Sequence, residues 1–366
     1  MKTKPGRYYL LPAILLAIGI GSCGKSNNNP APPPDPELKI THTGTMQLSK
    51  GRSGLVAAAA GNKILFAGGI YSTGKSAAVD IYDVAANKWE TTDLAEAKSN
   101  HAAAAAGTFI LVGGGVSDMG LSARVDIYNT ANGQWSNNLL SEARYDLAAA
   151  ASGNKVVFAG GFAANAQPSA TVDIYDITTK AWTKTTLSQA RGKLSAAVAG
   201  NKIIFAGGYT GPGNSNVVDI YDVGSGSWSV GQLNEAKFLM AAAGAGNKAL
   251  FAGGVISNIA NSEKVDIYDA AANAWSSVQI SKTRRAITAG AIENKIVLAG
   301  GYVMGFATVN DVDVYDVKTG KWEKLALSEA RADAAAAATG NTLLIGGGGG
   351  GASGYSAVVD VFKLSQ

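Results

Sequence analysis

The sequence contains few of the residues from which redox, metal and nucleophilic sites are built. It has one cysteine, Cys23, and two histidines, His42 and His101. A single cysteine allows no intramolecular disulfide, so packing has to hold the fold together. The histidines are far apart and have no cysteine or carboxylate cluster at metal-ligand spacing. No Ser-His-Asp arrangement is visible either. We therefore expect no metal and no cofactor.

The chain also lacks an excess of charge of one sign. Its 31 Lys and Arg residues against 27 Asp and Glu give a formal net charge of +4. Three of the basic residues, Lys2, Lys4 and Arg7, precede Cys23, so a chain without this segment is nearly neutral. A nearly neutral domain offers no general electrostatic attraction for nucleic acid. We expect no nucleic-acid partner.

The first 37 residues indicate export. Residues 1–22 predict a signal peptide, because basic residues precede an apolar run that is too short for a comfortable membrane span. Ile20–Cys23 resembles a bacterial lipobox, whose cysteine becomes a lipid-carrying N-terminus; the alternative is an ordinary secretory signal. Residues 23–37 are then the lipidated cysteine and a Pro/Asn-rich tether. Because no acidic residue follows Cys23 directly, we expect attachment to the outer membrane, facing the periplasm rather than the cell surface.

Three motifs recur along the rest of the chain at intervals of 45 to 47 residues. Glycine pairs begin at Gly68, Gly113, Gly160, Gly207, Gly253, Gly300 and Gly346. An aspartate after valine recurs at Asp80, Asp126, Asp173, Asp219, Asp266, Asp313 and Asp360. Tryptophan recurs at Trp89, Trp135, Trp182, Trp228, Trp275 and Trp322. A fixed period in this range predicts a propeller or another repeat array.

Each repeat predicts four short strands separated by Gly, Asn and Asp. A Gly pair after the second strand, then Tyr, then Trp seven residues later, resembles the kelch repeat; the first unit carries it as Gly68, Gly69, Tyr82 and Trp89. The resemblance covers residues 38–366 and implies an all-β, seven-bladed β-propeller with four antiparallel strands per blade. The seventh unit departs from the pattern, because Phe362 replaces Tyr and the chain ends before a Trp strand.

The missing strand of the seventh unit is expected at the N-terminal end of the repeats. Each Trp precedes a basic residue by nine positions, and nine positions before Arg52 is Thr43. We therefore predict that Lys39–Gln47 supplies the outer strand of the seventh blade and closes the ring, which removes an exposed strand edge.

Residues that recur in every repeat are expected to serve the fold. We predict that the Tyr and Trp residues pack between blades, and that each repeated Asp pairs with a basic residue or with neighbouring backbone. The step from the second Gly to the Tyr position varies from 13 residues to 14 and 15. This variation places the binding face at the loops between second and third strands, together with the connections from each fourth strand to the next first strand.

Candidate site residues are those that differ between repeats just after the repeated basic residue. They mix aromatic, cationic and anionic groups, which anchor interfaces and sugars. We predict ligand binding by Asn100, His101, Tyr145, Asp146, Lys193, Phe238, Met240, Arg285 and Asp333.

The sequence favours a binding module over an enzyme. We expect a membrane-tethered monomer in the bacterial cell envelope that holds a protein or a glycan, with no catalytic residue. The alternative is a periplasmic enzyme similar to the sialic-acid mutarotases of the same fold, with acid and base groups among Tyr145, Asp146, Lys193 and Arg285. Convergence of these four side chains on one pocket would favour the enzyme, and dispersal would favour the binding module.

Overall fold

The computed structural model describes Met1 and residues 38–257, 260–350 and 354–365. The predicted signal peptide, Cys23 and the tether lie outside the described residues, Met1 excepted. The repeats belong to a compact unit that spans Leu38–Gln366. Among the described residues, no helix is long and apolar enough to cross a membrane.

The unit is all-β and contains seven four-stranded antiparallel sheets, numbered here by the order of their first strands. The first strands are Val56–Ala60, Ala102–Ala106, Ala148–Ser152, Ser195–Ala199, Ala241–Ala245, Thr288–Ile292 and Ala335–Thr339. The second strands are Lys63–Ala67, Phe109–Gly113, Lys155–Ala159, Lys202–Ala206, Lys248–Ala252, Lys295–Ala299 and Thr342–Gly346. The third strands are Ala78–Asp83, Arg124–Asn129, Thr171–Asp176, Val217–Asp222, Lys264–Asp269, Asp311–Asp316 and Val358–Ser365. The fourth strands are Lys88–Asp93, Gln134–Leu139, Trp182–Thr186, Ser227–Gln232, Ala274–Gln279, Trp322–Ala326 and Lys39–Gln47.

Short elements lie in the loops after the second strands and, in one case, in the connection that enters a first strand. Two-stranded or three-stranded ribbons are formed by Ile70–Tyr71 with Gly74–Lys75, by Lys98–Ser99 with Val116–Ser117 and Gly120–Leu121, and by Val255–Ser257 with Ala260–Asn261. Single 3-10 turns lie at Ala164–Ala166 and Met304–Phe306. Repeated four-stranded antiparallel sheets in an all-β unit are consistent with a β-propeller.

The seventh sheet combines strands from both ends of the repeats. Lys39–Gln47 is its outermost strand and pairs antiparallel with Val358–Ser365. In the other sheets the repeated Trp faces the Tyr of the third strand, as Trp89 faces Tyr82. Here His42 faces Phe362, and a bulge between His42 and Gly44 adds a residue. The prediction that Thr43 takes the place of Trp was therefore wrong by one position, because counting along the sequence cannot detect a bulge.

Hydrophobic side chains fill the spaces between sheets. Seven buried clusters each join two sheets: six join sheets that are neighbours in number, and the seventh joins sheet 7 to sheet 1. In that last cluster Phe66 of sheet 1 packs with Leu344 of sheet 7. Successive residues of a second strand point to opposite neighbours, which is why these strands are apolar at every buried position.

The recurring Tyr and Trp residues take part in the same packing. Tyr82 is buried in the cluster between sheets 7 and 1, and its ring centroid lies 5.0 Å from that of Trp89. Equivalent pairs occur in sheets 2 to 6. The predicted structural role of these aromatic residues is confirmed.

The glycine pairs need a correction in the second and seventh repeats. Both repeats contain a run of glycines, and the residues with positive φ are Gly114 and Gly115, and Gly347 and Gly348. The preceding Gly113 ends a second strand, where a Cβ would come within 2.9 Å of the Phe158 ring. With the pairs aligned correctly, the step from the second Gly to the Tyr or Phe is 13 or 14 residues in every repeat. The predicted third length, 15, was wrong, and the loops differ mainly in composition.

The repeated aspartates bind the repeated basic residues, as predicted. The buried pairs are Arg52–Asp80, Lys98–Asp126, Arg144–Asp173, Arg191–Asp219, Lys237–Asp266, Arg284–Asp313 and Arg331–Asp360. In sheet 3 the second carboxylate oxygen of Asp173 accepts a hydrogen bond from the backbone N–H of Ser141. Asp80, Asp219 and Asp360 accept the equivalent backbone hydrogen bond, so in these four sheets the carboxylate also anchors the connection that enters the sheet.

Candidate ligand-binding face

The loops after the second strands and the connections that enter the first strands lie on one face, called here the loop face. Within each sheet, the residue after the basic residue pairs with the residue after the glycine pair. The pairs are Ser53 with Ile70, Ser99 with Val116, Tyr145 with Phe162, Gly192 with Tyr209, Phe238 with Val255, Arg285 with Tyr302, and Ala332 with Gly349. The two variable segments of each sheet therefore form one unit.

The next position along the chain forms the rim of the central channel. Its seven residues all have a φ between 50° and 58°; they are Gly54, Asn100, Asp146, Lys193, Leu239, Ala286 and Asp333. Backbone hydrogen bonds join several of them from sheet to sheet, for example from the Lys193 N–H to the Asp146 carbonyl and from the Asp146 N–H to the Asn100 carbonyl. These positions differ in side chain while sharing one unusual backbone conformation. In the sequence, these positions could be recognised only because their residue types diverge between repeats. The sequence did not reveal that they share one backbone conformation.

The channel itself is narrow and lined by small side chains. Alanines of all seven first strands surround one cavity of about 310 Å³. Met240 lines the adjoining cavity nearer the loop face, where it is buried between sheets 4 and 5. Met240 therefore lies beneath the rim.

His101 is also buried beneath the rim. Its Nε2 lies 3.1 Å from the carbonyl oxygen of Ala67 in sheet 1. Desolvation, with a smaller contribution from Lys98, lowers the pKa of the imidazole to about 3. A neutral imidazole in this position replaces the apolar residue that other repeats carry there, such as Leu147.

A pocket of about 850 Å³ opens on the loop face above sheets 3 to 5. Four predicted site residues line it: Tyr145, Asp146, Lys193 and Phe238. The other lining residues were not predicted, and they include Phe162, Tyr209 and Asn214. Phe162 and Tyr209 directly follow a glycine pair. Their position next to this repeated motif could have identified them as candidate site residues.

Aromatic residues form two walls of this pocket. The rings of Tyr145 and Phe162 lie 5.5 Å apart, and those of Tyr209 and Phe238 lie 5.7 Å apart. Gly192 separates the two pairs, and a Cβ there would lie 2.2 Å from the Phe162 ring. The absence of a side chain at this position is what allows the Phe162 ring to lie across the boundary between sheets 3 and 4.

An ion pair lies between the aromatic walls. The Nζ of Lys193 is 3.9 Å from Oδ2 of Asp146 and 5.9 Å from the Phe238 ring centroid. Asn100 donates a 2.6 Å hydrogen bond to Oδ1 of Asp146. Desolvation raises the pKa of the Asp146 carboxyl, and Asn100 and Lys193 oppose this rise. Asn100 thus acts on the site through Asp146.

Arg285 lies in a separate cluster on sheet 6. Its guanidinium is 4.4 Å from the Phe306 ring centroid and 5.8 Å from that of Tyr302, and it donates to the Asn261 side chain at 3.4 Å. Partial burial and the nearby Asp333 carboxylate raise the pKa of the Tyr302 phenol. Of the four residues considered as acid and base groups, three share the pocket and Arg285 does not.

No group of three or more His, Cys, Asp or Glu side chains within the described residues could hold a metal ion. The loop face offers aromatic, apolar and hydrogen-bonding groups.

Comparison with known families identifies the repeats. The profile described as the KLHDC2/KLHL20/DRC7 Kelch-repeats domain matches residues 100–283, half of the chain, and the Kelch motif matches residues 283–326. No curated protein matches the sequence. Kelch repeats are typical of propellers that serve as protein-interaction modules. The chain belongs to the kelch-repeat family.

Proposed function

We propose that this chain is a seven-bladed kelch propeller that binds a partner protein with its loop face. The seven sheets are its blades, and Lys39–Gln47 closes the ring as the outer strand of the seventh. Two observations support closure: the first strand of sheet 1 contacts those of both sheet 2 and sheet 7, and a hydrophobic cluster joins sheets 7 and 1. A closed ring presents all seven loops on one rigid surface.

The positions of the exposed apolar side chains are the main support for a protein partner. Among the described residues, Ile70, Met119, Met304 and Phe306 are large, exposed and located in loops between second and third strands. The remaining exposed large hydrophobic residues are Met1 and two side chains of fourth strands, Leu139 and Val230. Met304 and Phe306 share one turn, so two large apolar side chains are exposed there together. Exposed apolar patches mark interaction surfaces.

Phe306 and Arg285 are the proposed anchors of this interface. Phe306 is 75% exposed although its ring lies against the Arg285 guanidinium. The tight turn that presents it has φ values of 80° at Gly305 and 64° at Phe306. Aromatic and arginine side chains dominate the binding energy of protein interfaces, and an ordered turn loses little entropy on binding.

The test is quantitative capture from a cell-envelope extract on immobilised protein. Phe306→Ala and Arg285→Ala should each weaken partner binding by more than about 1 kcal/mol without lowering the Tm. Lys321→Ala is the control, because Lys321 is exposed in the turn between third and fourth strands, on the opposite face. Equal losses for Lys321→Ala and Phe306→Ala, or no loss for either anchor variant, would contradict the proposal.

We also propose that the propeller is attached to the cell envelope through Cys23. The support is the lipobox-like Ile20–Cys23 and the Pro/Asn-rich residues that follow. Cys23→Ala should abolish incorporation of labelled palmitate and release the protein from the membrane fraction. Cys23→Ser is the closest control in size and should behave in the same way. A variant that still sediments with membranes and incorporates palmitate would exclude this attachment.

A further inference from the structure

We infer that the pocket above sheets 3 to 5 binds a short neutral saccharide, independently of the protein partner proposed for the loop tips. The pocket measures about 850 Å³, within the range of sites for small ligands. It contains aromatic rings and hydrogen-bonding groups in close alternation. The proposed protein anchors, Arg285 and Phe306, belong to sheet 6 and do not line it.

The aromatic walls suit the apolar face of a sugar ring. Tyr145, Tyr209 and Phe238 are each half-buried, so part of every ring remains accessible from the pocket. The two wall pairs are tilted by 39° and 49°, which leaves each pair open on one side instead of stacked face to face. Aromatic residues bury a large apolar area while their polar groups remain available.

The polar groups supply both kinds of hydrogen bond that adjacent hydroxyls need. The Lys193 ammonium donates and the Asp146 carboxylate accepts, and their charged atoms are 3.9 Å apart. That separation is too long for a direct hydrogen bond, so both groups retain capacity for a ligand. The phenol hydroxyls of Tyr145 and Tyr209 make no hydrogen bond with any described residue. A pair of vicinal hydroxyls could bridge Asp146 and Lys193.

The charge of the site selects against ionic ligands. Lys193 and Asp146 cancel, so a carboxylate or an ammonium on the ligand gains from one group and is repelled by the other. A purely apolar ligand would cover the pair without replacing its hydrogen bonds, and unpaired buried charge is costly. A neutral polyhydroxylated ligand meets neither penalty.

The walls of the pocket are fixed in advance by neighbouring groups. Asn100 holds Asp146 from sheet 2. The Asn214 side chain donates to the carbonyls of Val255 and Ile256 at 3.0 and 3.2 Å, which ties the loop of sheet 4 to that of sheet 5. A site with this much internal support needs little rearrangement on binding.

The experiment is saturation-transfer difference NMR, followed by calorimetry, with a panel of free sugars. The panel contains glucose, galactose, mannose, N-acetylglucosamine, cellobiose and lactose as neutral probes, and sialic acid and glucosamine as charged ones. At least one neutral sugar should bind. Its affinity should fall about tenfold or more in Tyr145→Ala, Phe238→Ala and Asp146→Asn, because each removes a ring face or a charged hydrogen-bond partner.

Phe306→Ala is the matched control, because it truncates the equivalent turn of sheet 6, where sheet 3 already has Ala166. It should leave sugar binding unchanged while weakening protein capture, so the two proposals fail separately. Thermal unfolding and far-UV circular dichroism of each variant establish that loss of binding is not loss of folding. Absence of binding by every neutral sugar, binding of charged sugars alone, or binding that survives all three pocket variants would each overturn the inference.

Discussion

At the scale of single residues, the repeated Asp and its basic partner determine how one sheet is connected to the next. Arg144 is fully buried and donates to the carbonyls of Gly160 and Thr171 at 2.6 and 2.7 Å, as well as to Asp173. Burial lowers the pKa of the guanidinium, and the Asp173 carboxylate opposes that shift. The Arg144 side chain therefore links Gly160, which follows the second strand, to Thr171, which begins the third.

Removing one partner of such a pair should destabilise the domain strongly. Asp173→Asn leaves the buried Arg144 charge uncompensated and weakens the acceptor for the Ser141 N–H, so the free energy of unfolding should fall by about 3–5 kcal/mol. Chemical denaturation followed by tryptophan fluorescence measures this change.

An exposed ion pair provides the matched control. Lys282 and Asp311 are 2.9 Å apart, and their side chains are 46% and 36% exposed. Asp311→Asn should change the unfolding free energy by only about 0–1 kcal/mol, because solvent screens the interaction. Comparable losses for Asp173→Asn and Asp311→Asn would show that burial of the sheet-entry pair is not what matters.

The residue positions of the candidate site were only partly predictable. Divergence after the basic residue identified Tyr145, Asp146, Lys193 and Phe238, which do meet in one pocket. It also selected His101 and Met240, whose side chains are buried, because sequence divergence does not report the direction of a side chain. Phe162 and Tyr209 were missed because they were counted as part of the glycine motif and its loop.

At the scale of secondary-structure elements, the sequence period predicted the strands well. Lys39–Gln47 was expected as a strand with these bounds, and the structure has the same nine residues. The bulge between His42 and Gly44 was not predictable, because one inserted residue leaves the alternation on either side intact. His42 nevertheless replaces Trp in function, since its ring lies 5.1 Å from that of Phe362.

The glycine runs are a second feature of the secondary structure that could not be predicted from the sequence. Only φ distinguishes which two of Gly113, Gly114 and Gly115 form the turn. The answer follows from packing: the Phe158 ring of sheet 3 occupies the space that a Cβ of Gly113 would need. A repeat-internal alignment cannot contain that information, because it depends on a neighbouring sheet.

At the scale of the whole molecule, similar sheets carry different loops. The buried pairs, the Tyr–Trp contacts and the apolar second strands repeat around the domain, whereas the residues after the basic residue and after the glycine pair change from sheet to sheet. Sheets 3 and 6 illustrate the consequence. Both have a 3-10 turn at the same position, but Ala166 lines an open pocket in one and Phe306 projects beside Arg285 in the other.

The proposed closure makes a prediction for the whole ring. Deleting Lys39–Gln47 removes the fully buried Ile40 and leaves Val358–Ser365 as an unpaired edge. Loss of one strand should cost several kcal/mol, and each kcal/mol lowers the Tm of a domain this large by roughly 1–2 °C. The truncated protein should also aggregate through its new edge. Differential scanning calorimetry and light scattering measure both effects.

Two comparisons separate closure from a general effect of truncation. Deleting residues 24–37 instead should leave the Tm within about 2 °C of the parent, because we expect a segment of this Pro/Asn-rich composition to contribute no core surface. Adding a synthetic peptide of residues 38–48 to the strand-deleted protein should raise its Tm with increasing peptide concentration, since a ligand that binds only the folded state stabilises it by mass action. Lys39–Gln47 pairs only with Val358–Ser365. In the proposed ring, however, loss of this pairing would leave the boundary between sheets 7 and 1 open. If the strand-deleted protein unfolds at the parental Tm and the peptide has no effect, Lys39–Gln47 is not what holds the ring closed.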